Sequence, residues 1–124
     1  MLTFIHSRLA LTTMLFALML GVWAAWNWFR GRGVGSSFWG AIIIGEILVL
    51  GQGALGALMV ITGARPADLL HLLYGALVAL GWPAVYIYTN ARATRTEAAL
   101  YALVSFAIFG LAVRAIMTGG TLTP

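Results

Sequence analysis

The 124-residue chain has no cysteine, which excludes disulfides, iron–sulfur clusters and thiol catalysis. It has no lysine either. Its seven basic residues are all arginine, set against three acidic ones, Glu46, Asp68 and Glu97. Only 8% of the residues are charged, where soluble proteins carry roughly a quarter. The net charge of +4 is small and scattered, so no nucleic-acid surface is expected. The apolar/polar alternation of barrel strands is missing. The connections between apolar runs are too short to fold separately, so no extramembrane module is expected.

What the chain has is hydrophobic length: 62% of it is hydrophobic. Four apolar runs, approximately Leu9–Phe29, Phe38–Thr62, Leu69–Thr89 and Ala98–Met117, each reach the roughly 20 residues that cross a bilayer as a helix. In lipid a helix satisfies its own backbone hydrogen bonds. The expected fold is therefore all-α, a single integral membrane four-helix bundle over residues 1–124, with helices at about 3–29, 38–63, 69–90 and 97–118. Arg8 precedes an apolar run, as in a signal peptide. That run continues to Trp26-Asn27-Trp28-Phe29 without a small-residue cleavage site, so it reads as an uncleaved first helix.

Arginine placement predicts the topology. Arg30, Arg32, Arg92 and Arg95 fall on one side of the membrane, and Arg8, Arg65 and Arg114 on the other. Positive charge concentrates on the cytoplasmic side, which puts both termini and the 64–68 turn outside. Localisation in the inner (plasma) membrane, as a multi-pass protein, follows. Trp23, Trp26, Trp28, Phe38, Trp39, Tyr86, Tyr88 and Tyr101 read as an aromatic belt at the arginine-rich interface. Gly81-Trp82-Pro83 predicts a kink in helix three, and Asn90 its cap. Thr12 and Thr13 are expected to bond back to their own helix. The glycines of Arg30-Gly31-Arg32-Gly33-Val34-Gly35 superficially match a phosphate loop, but no strand precedes them and no lysine follows.

The chemistry-bearing residues are few. His6 and His71 are the only histidines. Helices one and three run in the same direction, so both imidazoles lie near helix starts on one membrane face, matched in depth to within about a turn, roughly 5 Å. Facing helices of a bundle can hold a metal cofactor between them, and two neutral histidines at one level are what bis-imidazole haem ligation needs. Gly53 and Gly56 are candidates to leave the gap, and Arg8 and Arg65 to neutralise two propionates. The alternative stands beside it: His6 as an interfacial residue and His71 as an ordinary polar helix start. Glu46 lies about 12 Å deep by helical rise, so it should be neutral or paired, with Tyr101 or Ser105 as partner. Gln52 is expected to bond within the bundle near the cofactor edge.

Four segments carry a resemblance: His6-Ser7-Arg8, Gln52-Gly53-Ala54-Leu55-Gly56, Thr62-Gly63-Ala64-Arg65-Pro66 and Leu70-His71. In this order they resemble one four-helix half of the haem A synthase family, whose members join two such bundles. The resemblance runs over about residues 5–90 and in helix count over the whole chain. It implies haem b, with His6 and His71 as axial ligands. It also implies that a half-length member pairs as a homodimer to rebuild the two-bundle arrangement. Three features differ: Ser7 separates His6 from Arg8, residues 2–5 (Leu-Thr-Phe-Ile) supply no acidic residue before His6, and the cysteine pair of many members is missing. Electron transfer or haem handling beside a respiratory or photosynthetic complex is therefore expected over haem oxidation. Two other readings remain: a cofactor-free accessory subunit of a larger membrane complex, and a compact homodimeric haem A synthase.

Overall fold

The computed structural model describes residues 1–119, all of whose regular structure is helical. There are four helices: α1 (Leu2–Phe29), α2 (Ser36–Ile61), α3 (Leu70–Tyr88) and α4 (Arg95–Thr118). All four are long and apolar enough to cross a membrane. The expected starts and ends shift by a residue or two because polar residues such as Ser36, Ser37 and Arg95 enter the first turns. At 19 residues α3 is the shortest, and at a rise of 1.5 Å it still spans about 28 Å.

The helices form a closed ring. α1 packs on α2 and α4, and α3 packs on α2 and α4, with α2·α3 the sparsest of these contacts. The two diagonal pairs, α1 with α3 and α2 with α4, have no backbone packing among the described residues. Trp82 fills the centre. It is 1% exposed, and its Nε1 donates to the Ser105 hydroxyl at 3.0 Å. A Cβ on Gly45 would lie 2.9 Å from this indole and 3.1 Å from Phe16, so the close approach of α2 requires glycine. Helix α3 continues through Pro83. Its end is more contorted than one capping residue: Asn90 (φ 51°) and Ala91 (φ 61°) are both left-handed.

At the arginine-rich end the aromatic belt divides. Trp26, Trp28, Tyr86 and Tyr88 are exposed, as interface anchors should be. Phe38 and Tyr101 are instead fully buried, stacked edge-on at 5.7 Å, with Trp23, Trp39 and Tyr86 completing the cluster. They belong to the core because their helix faces point inward, which depth does not reveal. The glycine-rich loop is accounted for by packing. Gly31 is left-handed (φ 72°), and Gly33 passes so close under the Ala93 carbonyl that no side chain fits, while Val34 N–H donates to the same carbonyl at 3.2 Å. A capping box opens α4, with the buried Glu97 carboxylate accepting from the Thr94 backbone N–H and hydroxyl. Arg95 Nε donates to the Trp28 carbonyl at 2.7 Å and ties α4 to the end of α1.

Candidate functional site

At the other end of the ring, His6 of α1 and His71 of α3 meet across the diagonal. Their ring centroids are 6.0 Å apart and their planes inclined by 73°. Matching depth, read from helix direction, is thus realised as contact. Each ring rests on a glycine of a neighbouring helix. A Cβ on Gly56 of α2 would lie 3.2 Å from His6 Cε1, and one on Gly119, just past α4, would lie 2.5 Å from His71 Cε1. All four helices therefore contribute to the pair.

The local fold of the 62–69 turn aims His71. Asp68 Oδ1 accepts from Leu70 N–H at 2.9 Å and its carbonyl accepts from His71 N–H at 3.0 Å, which starts α3. Asp68 N–H donates to the Thr118 carbonyl at 3.1 Å, so the start of α3 is fastened to the end of α4. His71 Nδ1 lies 2.7 Å from the Ala115 carbonyl. Since a carbonyl has no proton to give, Nδ1 carries the hydrogen and Nε2 keeps the lone pair. Nδ1 of His6 is buried without a partner.

The other expected site residues fall differently. Gln52 stands on α2 one turn before Gly56 and is part-buried. Gly53 opens onto empty space: a Cβ added there would meet nothing within 4 Å, so it supplies no gap at the pair. It sits three residues from Gly56, roughly 4.5 Å along α2, and so lies at a different level from the pair. Arg8 is exposed with its guanidinium over the Phe4 ring at 5.1 Å. Arg65 donates to the Val60 and Ala64 carbonyls at 3.0 and 3.1 Å. Neither arginine converges on the histidines, because each has a local partner within its own helix or turn. Glu46 Oε1 is buried with no hydrogen-bond partner. Its two expected partners are not bonded to it: Ser105 accepts from Trp82, and the Tyr101 hydroxyl is buried and unpaired. Thr12 bonds back to the Arg8 carbonyl at 2.9 Å, whereas the Thr13 hydroxyl, buried beside the bundle axis, has no partner.

The residues that sequence reasoning missed are Ala115 and Gly119. A glycine after a helix reads as a termination signal, and alanine carries no side-chain signal at all. Two grooves lie elsewhere: one of about 600 Å³ along α1 over Leu15, Met19 and Trp26, and one of about 310 Å³ bounded by Trp39, Ile43, Tyr86 and Ala91. Among the described residues no group of three or more His, Cys, Asp or Glu side chains gathers as a metal cluster. No protein-family model, curated protein or solved structure matches the chain.

Proposed function

We propose that this chain is an integral membrane haem b protein of the inner membrane, with His6 and His71 as the axial ligands. One observation carries the reading: the 6.0 Å between ring centroids. Two metal–nitrogen bonds of about 2 Å, plus about 1 Å from each nitrogen to its ring centre, put two imidazoles on one metal at roughly that spacing. The donor set fits the group. His71 keeps a lone pair on Nε2 because Nδ1 is bonded to Ala115, and Gly56 and Gly119 keep bulk away from both rings. The order of the four segments resembling half of a haem A synthase supports the same group.

When bound, haem b supplies one-electron transfer. The protein holds the ligand tautomer, excludes water through the surrounding apolar helices and fixes the level of the site within the membrane. Haem handling or electron transfer within a homodimer or a larger respiratory or photosynthetic complex is the role that suits such a chain. Haem oxidation suits it less, because Leu2-Thr3-Phe4-Ile5 offers no carboxylate beside His6. The arginine-rich end, with the 30–35 and 89–94 connections packed together, is assigned to the cytoplasm, and the histidine end to the outside.

A second reading rests on α2 and α3, whose spans are only 22% and 17% buried. Those faces suit a cofactor-free accessory subunit seated against a larger membrane partner. Purification from a haem-sufficient host separates the two. A Soret band with a low-spin bis-histidine spectrum, lost in His71→Ala, is the expected result. A colourless protein that also fails to take up added haem would overturn the haem reading.

A further inference from the structure

The two histidines are held in unlike ways. His71 is fixed on three sides: by its Nδ1 contact to the Ala115 carbonyl at 2.7 Å, by the bare Cα of Gly119 beneath the ring, and by the Asp68–Thr118 backbone bond that fastens its own turn to α4. For His6, Nδ1 is buried without a partner.

We infer that the last turn of α4, through the Ala115 carbonyl and Gly119, is the positioning element that fixes His71, the ring that meets His6, as the Nδ1–H tautomer with Nε2 bare. Ala115 stands three residues before the end of α4. Its carbonyl lies in the last turn, at the negative end of the helix dipole, and a carbonyl oxygen has a second lone pair that can accept from His71 beside any bond it makes within the helix. An N–H donor there is favoured twice, by hydrogen bonding and by the dipole. Thr118 Oγ1 shares this carbonyl at 3.3 Å and turns mainly to Arg114 at 2.8 Å, so the shared oxygen stays available to His71.

Glycine at 119 is needed because a Cβ would stand 2.5 Å from His71 Cε1 and 2.6 Å from Nδ1. Neither contact can be relieved by a flexible chain end, since the ring is rigid and its Nδ1 is already bonded. A side chain at 119 must push the imidazole off the carbonyl. A carbonyl accepting from the far nitrogen of a ligating imidazole also makes that ligand the more basic of the two. That consequence rests on the haem reading above; the tautomer does not.

The test is made on haem-free protein, so it is independent of whether haem binds. Uniformly 15N-labelled protein in detergent micelles, at about pH 8 where free imidazoles are neutral, is studied by long-range 1H–15N correlation, with His6→Ala used for assignment. His71 is expected to show a protonated Nδ1 and a bare Nε2. Gly119→Val is expected to convert this to a mixture of tautomers, while Gly110→Val, at a helical glycine facing open space, leaves it unchanged. In the haem-loaded protein Gly119→Val should weaken haem affinity by about 10- to 100-fold, the usual scale for loss of an outer partner. An Nε2–H tautomer in the parent protein overturns the inference even if the variant fails to fold. So does an unchanged His71 pattern in a folded Gly119→Val.

Discussion

Trp82 of α3 donates from Nε1 to Ser105 of α4 at 3.0 Å, while the same indole lies against the bare backbone of Gly45 on α2. One side chain thereby joins three helices at the middle of the bundle. Trp82→Ala should cost about 3–5 kcal/mol through lost packing and the cavity left behind. Ser105→Ala should cost about 1 kcal/mol, the scale of one internal hydrogen bond in a membrane protein. Reversible unfolding in mixed micelles reads both, and equal losses from the two would refute this division.

The ligand pair makes a second expectation. Removing His71 should abolish haem binding, whereas His6→Ala should retain a fraction with an altered, high-spin spectrum. The reason is the tighter anchoring of His71 by Ala115 and Asp68. Absorption spectra and haem-to-protein ratios of the two purified variants decide it. Equal retention in both would count against the assignment.

Glu46 offers a test of an unpaired buried group. An acceptor buried without a partner destabilises a fold, and an apolar replacement of similar size removes that penalty. Glu46→Leu is therefore expected to raise stability by about 1 kcal/mol, and Glu46→Gln to leave the fold intact. If Glu46→Leu instead unfolds the protein in micelles, the carboxyl has a structural partner outside this chain.

Ala91 sits in the left-handed region at φ 61°, next to Asn90 at φ 51°. That conformation costs an alanine roughly 1 kcal/mol and a glycine almost nothing. Ala91→Gly should raise the melting temperature, an unusual sign for a glycine substitution. A fall of more than a degree or two would show that the backbone there relaxes in the membrane.

Topology is directly accessible because the chain contains no cysteine. Single cysteines at Ser36 and Ala67, both exposed, can be challenged in intact cells with an impermeant maleimide. Labelling at 67 and protection at 36 is the expected pattern. The reverse pattern would invert the assignment of sides.

The four helices were legible because hydrophobic length and backbone saturation in lipid leave one solution for such runs. The meeting of His6 and His71 was legible too, since helix direction and depth bring both to one level. Rotation about each helix axis, and which turn of a helix makes a contact, were not. Gly56 and Gly53 look equivalent in the sequence, yet only Gly56 meets His6. Tyr101 has the composition of an interface residue, yet it is fully buried under Phe38 and Trp39. The arginines expected to serve the site were claimed by nearer partners, the Phe4 ring and the Val60 carbonyl, which cost less chain ordering to reach. Ala115 acts through its backbone, and residue type says nothing about a carbonyl.

A ring of four rods joined only side to side behaves as a hinged parallelogram and can lean without breaking any joint. This bundle has that plan, since among the described residues its diagonal helices make no close backbone approach. It carries one cross-strut at each end, set along opposite diagonals. At the arginine-rich end Phe38 and Trp39 of α2 meet Tyr101 of α4. At the other end His6 of α1 meets His71 of α3. The aromatic strut is permanent packing. The histidine strut is two rings in contact, so a group that bonded to both would also set how far the histidine end of the frame can lean.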